Sequence, residues 1–332
     1  MIRKKSEKKF IKNIRTPVFF IMPFFIFLNL SIHVFGEEKD IIPPEIKVEI
    51  TDADKEFTSG VRKAYVTVTD NRMKGEIKKE YVFKEGKDSF YIKIKDAAGN
   101  ESSFKSDVYI QDYTAPTVCI DGISDEETVN GELKIIISAK DEWLDTDKSY
   151  VKITGRNSHK IFGYCFEGGE NSISISDKDF FADDYYALKI YLIDKAGNEN
   201  VKHISFTINR NGSAFEVDGK NKEKIGLIAE EIKGFCITER NVSKVDCENA
   251  RILFSFNARA IDLKTGEDYR VEEKQDAQGF VYTYIFYDEL FIKDGVYTIS
   301  VSTKDEAGNV NDTRFDKNSD EIRFAVKRGL NP

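Results

Sequence analysis

The stretch "KDAAGNES" (Lys95–Ser102) decides the fold, because its centre recurs as "DKAGNEN" (Asp194–Asn200) and "DEAGNVN" (Asp305–Asn311). An Asp-x-Ala-Gly-Asn motif at domain-length intervals is either a ligand loop or a turn, and its flanks separate the two. Phe90, Ile92 and Ile94 precede the first copy in alternation. Tyr186, Leu188, Ile190 and Leu192 precede the second, and Tyr297, Ile299 and Val301 the third. Aromatic and β-branched residues at a period of two read as half-buried strands. Another strand follows each copy, in "SDVYIQ", "HISFTIN" and "EIRFAVK". Asp at the first position of a type I turn accepts from the amide two residues on. Gly three residues later takes the left-handed conformation that closes a hairpin with a bulge. A phosphate loop needs a following helix, and none of the copies has one. The motif is a hairpin turn.

Earlier in each unit a strand ends on an acid: "AYVTVTD" at Asp70, "KIIISAKD" at Asp141 and "GFCITE" at Glu239. Unit starts also echo, with "IPPEIKVEI" from Ile42 resembling "APTVCI" from Ala115. These landmarks divide the chain into residues 1–36, 37–112, 113–209 and 210–332. The third unit has a longer middle, read as a charged loop around "KTGEDYRVEEKQDAQG". Composition agrees with an all-β reading. The 332 residues are 40% apolar, enough for a core, and 25 Phe and 15 Tyr beside 6 Pro favour strands. Short strands, Gly/Asp/Asn turns and domain-length units fit antiparallel sandwiches.

Residues 1–36 are a separate object. Arg3, Lys4, Lys5, Lys8, Lys9, Lys12 and Arg15 outnumber Glu7, and an apolar heart follows from Val18 to Leu28. That heart is short for a bilayer span of about 20 residues. Val34 and Gly36 suit a cleavage site before Glu37. A cleaved signal peptide and an uncleaved anchor helix are the two readings. Without this segment the net charge of −8 becomes more negative, so a phosphate backbone is a poor partner and nucleic acid is excluded. Membrane contact is expected only through the N-terminal segment if uncleaved.

Four cysteines fit an exported chain. Cys119–Cys165 and Cys236–Cys247 are the local pairings, with buried free thiols as the other reading. Among histidines after residue 36 only His159 and His203 remain, and no Ser stands in a nucleophile elbow. An enzyme is not expected. Trp143, in "KDEWLDTDKS", either packs on a sandwich end or stacks on a sugar ring. Phe162, Tyr164 and Phe166 alternate as the core face of a strand.

Tyr186 and Tyr297 stand where a tyrosine corner belongs in an immunoglobulin-like sandwich. Asp88 holds that position in the first unit, so either its corner is closed another way or its boundary differs. Together with "DYTAP" (Asp112–Pro116), "FIKDGVY" (Phe291–Tyr297) and "DEAGN" (Asp305–Asn309), the chain resembles tandem bacterial Ig-like repeats of secreted and cell-surface proteins. The resemblance implies all-β, tandem immunoglobulin-like antiparallel β-sandwiches after an N-terminal signal or anchor helix. It implies a non-catalytic spacer or adhesion arm that meets a host or cell-surface protein or a glycan. A carbohydrate-binding module is the alternative. A fragment of a larger surface enzyme or adhesin is the minor one, since "FAVKRGLNP" carries no sorting signal.

The topology of such a sandwich places the loop after the second strand and the last hairpin at the N-terminal end. Asp141 and Glu142 are therefore expected near Asp194 and Asn198, close to Asp112. Glu239 and Asn241 are expected near Asp305 and Asn309, close to Asn209. Oxygen-rich groups of this kind suit Ca²⁺, and no other cofactor is expected. The competing reading is that these acids cap turns in a solvated surface.

Overall fold

The computed structural model describes residues 24–29, 40–166, 172–176, 180, 182–314 and 321–329. Nearly all regular structure is strand, apart from one helical turn at Gly219–Lys222 and a 3₁₀ turn at Asp288–Phe291. The chain divides into two compact units. One runs to Thr114 and includes Lys195–Asn198; the other holds Ala115–Asp194 and continues from Glu199.

In the first unit, Glu45–Ile50, Lys63–Thr69 and Ile77–Val82 form an antiparallel sheet in that order. Phe90–Lys95 pairs antiparallel with Glu101–Lys105 in a second sheet. The strand pattern makes the core directly. Ala64, Val66 and Val68 alternate inward from one sheet, Phe90, Ile92 and Ile94 from the other, and Phe83 and Tyr109 close the end. A small third sheet joins Phe57–Thr58, Tyr109–Gln111 and Gly86–Asp88.

The second unit holds two sandwiches. In the first, Thr117–Asp121, Lys134–Lys140 and Ser172–Ser176 make one sheet. The facing sheet runs Glu127–Val129, Glu199–Ile208, Asp184–Ile193, Tyr150–Gly155 and Ile161–Cys165. Ile135 and Ile137 meet Val151, Ile153, Leu188, Ile190 and Phe206 between them. In the second, Ala214–Val217, Cys236–Asn241, Gly279–Phe286 and Tyr269–Asp276 face Ile228–Ala229, Arg323–Val326, Gly295–Lys304, Arg251–Phe256 and Arg259–Asp262. Phe235, Ile237, Tyr284, Phe291, Tyr297 and Phe324 are among its core. Each repeat also has a short strand parallel to its last strand: Phe57–Thr58, Glu127–Val129 and Ile228–Ala229. The immunoglobulin-like sandwich expected from the sequence is the observed fold.

The corners follow the expected chemistry. Tyr186 donates its hydroxyl to Ala182 O at 2.9 Å, and Tyr297 to Lys293 O at 2.6 Å. In the first repeat a carboxylate replaces the phenol. Asp88 Oδ2 accepts from Tyr81 Oη at 2.9 Å and from the Lys84 amide at 2.8 Å.

Three expectations are corrected. The charged "loop" of the third unit is a hairpin of Tyr269–Asp276 with Gly279–Phe286. Tyr269 and Val271 alternate inward while the intervening charges face water from a sheet edge, which masks the strand pattern. Both disulfides are absent, all four cysteines being free. Cys119 and Cys165 are exposed, on strands of opposite sheets whose alternate residues (Val118 and Ile120; Phe162 and Tyr164) pack on the core, so the thiols point outward rather than lying buried. Cys247 packs against the third core, whereas Cys236 lies on the face of its strand opposite buried Ile237. Finally, the described part of the expected N-terminal helix is a strand, Phe24–Asn29, parallel to Phe90–Lys95. Its Phe-rich composition favours extended backbone. Among the described residues no helix is long and apolar enough to cross a membrane. The remainder of residues 1–36 lies outside the described residues.

Candidate functional site

The repeated turn forms as its residues dictate. Gly99, Gly197 and Gly308 have φ of +96°, +93° and +88°, where an L side chain would be strained. In the first copy the Asn100 amide donates to Asp96 Oδ1 at 2.8 Å and the Asp96 amide to Asn100 O at 3.0 Å. The third copy repeats both bonds, from Asn309 to Asp305 Oδ1 at 2.8 Å and from Asp305 to Asn309 O at 3.1 Å.

The motif asparagine then reaches beyond its own turn. Asn100 Nδ2 donates to Asp40 O and Ile42 O, on the segment entering the first sandwich. Asn198 Nδ2 donates to Asp112 O at 2.8 Å and Thr114 O at 3.4 Å. Asn309 Nδ2 donates to Asn209 O at 2.9 Å. In every repeat the last hairpin clasps the entering chain.

Around the first clasp, carboxylate oxygens of Asp40, Asp70 and Asp96 lie within 4.8 Å of one another. Asp40 and Asp96 are buried. Burial opposes ionisation of Asp96, but donors from Asn100, Gly99 and Ala98 outweigh it and hold its carboxyl below the ordinary range. Asp70 Oδ1 accepts from the Arg72 amide, while its Oδ2 is buried without a hydrogen-bond partner. Arg72 Nε lies 3.7 Å from Asp40 Oδ2 and offsets part of the negative charge. The sequence reading passed over this trio, although Asp70 and Asp96 occupy the same places in their repeat as Asp141 and Asp194 in theirs.

The other nominated residues divide. Carboxylate oxygens of Asp141 and Asp194 lie within 4.8 Å of one another in the second unit. Asp141 Oδ1 accepts from the Trp143 amide at 2.7 Å, Glu142 is exposed, and Trp143 is half-buried. In the first unit, buried Asp112 caps its own turn, Oδ1 accepting from Thr114 N and Oγ1.

In the third repeat the amide of Asn209 takes the centre. Its Nδ2 donates to Asn241 Oδ1 (2.7 Å), Ser243 Oγ (2.8 Å) and Asp305 Oδ2 (2.9 Å). Asn241 Nδ2 and Asn309 Nδ2 donate to the same Asp305 oxygen. Glu239 is fully buried beside this group and accepts from Ser213 Oγ, Thr303 Oγ1 and Tyr284 Oη at 2.5, 2.6 and 2.7 Å. Burial raises its pKa, the three hydroxyl donors oppose that shift, and neighbouring Asp305 adds to it. Here amide and hydroxyl hydrogens occupy the oxygens that a cation would need. Asp305 and Asn309 thus come together, but as a hydrogen-bonded joint.

No reactive constellation emerges among the described residues. His159 and His203 are both exposed. A cleft of about 500 Å³ is lined by Lys244, Asp246, Cys247, Glu273, Lys304 and Glu306. Burial foremost, with Glu273 assisting, pushes the Cys247 thiol up, away from the thiolate a nucleophile requires.

The chain matches no protein-family model and no curated protein sequence. Among solved structures it is similar to a tetra-tandem repeat in the extending region of a large adhesion protein. That match has 14% identity, 86% of this chain and 74% of the other, and a TM-score of 0.39. It is also similar to a Ca²⁺-stabilized adhesin that helps an Antarctic bacterium reach out and bind ice, at 15% identity, 82% and 72% coverage and a TM-score of 0.25. A third similarity is to three N-terminal domains of the bacteriophage RB49 highly immunogenic outer capsid protein, at 8% identity, 86% and 99% coverage and a TM-score of 0.28.

Proposed function

We propose that the chain is an exported, non-catalytic array of Ig-like sandwiches, a spacer or adhesion arm of a secreted or cell-surface protein. One observation carries this reading: the most repeated residues of the sequence spend their hydrogen bonds on holding chain entry. Asn100 clasps Asp40 and Ile42, and Asn309 clasps Asn209. Such bonds fix the path of a modular chain and transform no substrate. The N-terminal basic and apolar segment supplies the export signal, with processing before Glu37. Protease treatment of intact producing cells should remove the protein, and N-terminal sequencing of the exported form should begin at Glu37. Retention inside the cell with Met1 or Ile2 at the N-terminus would sink the export reading. Glycan binding lost in Trp143→Ala would replace the spacer role by carbohydrate recognition.

A second reading concerns Ca²⁺, favoured by the buried, unpartnered Oδ2 of Asp70 between Asp40 and Asp96. Hard oxygen ligands of this kind suit a divalent cation, and binding to the folded form stabilises it. Millimolar Ca²⁺ should then raise the melting temperature of the native chain and not of Asp70→Asn. The third repeat, with Asn209 at its centre, should not respond. Identical melting in Ca²⁺ and in chelator rejects this reading.

A further inference from the structure

Among the described residues, the first repeat lacks a strand that the other two possess. In the second repeat Tyr150–Gly155 pairs antiparallel with the penultimate strand, Asp184–Ile193. In the third, Arg251–Phe256 pairs in the same way with Gly295–Lys304. Both partners come from the long connection after the third strand of their repeat, residues 141–171 and 242–278. In the first repeat residues 70–76 alone join Lys63–Thr69 to Ile77–Val82, and both of these strands lie in the same sheet. Sheets stack about 10 Å apart and a strand advances about 3.3 Å per residue. That connection cannot cross to the other sheet, form a strand and return.

The corresponding place beside Phe90–Lys95 is nevertheless filled. Phe24–Asn29 lies there in parallel register, from Phe24 opposite Phe90 to Asn29 opposite Lys95. The occupant, "FFIFLN", belongs to the segment that export would remove. Removal exposes a row of backbone donors and acceptors along a strand whose inward residues, Phe90, Ile92 and Ile94, are core. An open edge of this kind is a template for strand addition.

We propose that the free edge of Phe90–Lys95 is a strand-acceptor site. In the processed chain it takes an extended, uncharged segment of a partner protein, rich in aromatic and aliphatic residues and running parallel to Phe90–Lys95. The chain's own Phe24–Asn29 is a plug that holds the site until processing. The chemistry of the partner is read from that plug: its composition, its length and its direction. The partner step rests on the export reading above; the acceptor edge itself does not.

Hydrogen exchange read by mass spectrometry on the full chain tests it. Phe90 donates its amide to Ser106 Oγ on the opposite side, so by alternation Tyr91, Lys93 and Lys95 face the plug. Ile26→Pro removes a backbone donor from it, and those three amides should lose protection while Lys63–Thr69 and Asp184–Ile193 keep theirs. A synthetic peptide of residues 24–29 flanked by lysines should restore protection, and a peptide of the same length built from Glu and Gly should not. If proline also releases Lys63–Thr69, a Phe25→Gly, Phe27→Gly chain, which keeps every donor, serves with the same expectation. Unchanged exchange in the variant, or lost protection that the apolar peptide fails to restore, overturns the acceptor site. An exported chain that still carries residues 24–29 overturns the processing step and the partner with it, while the peptide result stands separately.

Discussion

Two buried acids in this molecule titrate in opposite directions, and the difference is set by their donors. Asp96 accepts from the Asn100 side chain and from the backbone amides of Asn100, Gly99 and Ala98, and its folded pKa falls below the unfolded value. Its contribution is present above about pH 3.9 and is lost as pH falls through the folded pKa. Glu239 is more deeply enclosed, and burial outweighs Ser213, Thr303 and Tyr284. Its folded pKa is raised, so its contribution is complete below about pH 4.3 and declines as pH rises through the folded value. Calorimetry of Glu239→Gln should show a flatter melting temperature over that rise than the native chain shows; parallel curves would contradict the assignment. Tyr297 offers a simpler case. Its hydroxyl bonds Lys293 O from a fully buried ring, so Tyr297→Phe should cost about 1 kcal/mol. An unchanged denaturation midpoint would remove the corner from the stability account.

At the scale of elements, the last hairpin does two jobs with one motif: it turns the chain and clasps the entry segment. Asn309 supplies the second job, bonding Asn209 O and Asp305 Oδ2. Asn309→Ala should leave the turn, since Gly308 and the Asp305 carboxylate persist, but free the carbonyl of Asn209. The expected loss is on the order of 1 kcal/mol, with faster exchange at the Gly212 and Ser213 amides; no change there would refute the clasp. Most of this architecture was legible beforehand. Alternation around Asp96, Asp194 and Asp305 revealed the hairpins, and Tyr186 and Tyr297 revealed the corners. The edge strand Tyr269–Asp276 was hidden because only Tyr269 and Val271 face the core, and a charged edge reads as a loop. The Asn209-centred joint was hidden for another reason. Sequence position brought Glu239, Asn241 and Asp305 to one end, but whether their oxygens await a cation or accept from an amide depends on rotamers. The missing strand of the first repeat went unread, although residues 70–76 leave no room for it, and its substitute lay in a segment that reads as an export signal.

At the scale of the whole molecule, the buried apolar side chains of the described residues form three clusters, each built from a contiguous length of chain: residues 64–109, 123–208 and 217–326. Among the described residues no buried side chain of one length belongs to the core of another, so hydrophobic stabilisation, the dominant favourable term, is supplied repeat by repeat. Cooperativity should follow the same division, as in chains whose units stabilise themselves and couple only to neighbours. Ile190 is fully buried in the middle cluster, on the strand that pairs with Tyr150–Gly155. Ile190→Ala leaves a cavity there and should cost roughly 2–5 kcal/mol of the middle repeat's stability. Calorimetry should show one transition moving to lower temperature. Exchange should rise along Lys134–Lys140 and Tyr150–Gly155 while Lys63–Thr69 keeps its protection. The third repeat is a finer gauge, because Asn211 bonds Asp183 and Asn130 bonds Asn309 within the second unit. Exchange in Ala214–Val217 should rise less than in Lys134–Lys140, in proportion to those few polar ties. A single transition shifted as one, with all three lengths losing protection together, would mean that the repeats fold as a single body and that the modular reading is wrong.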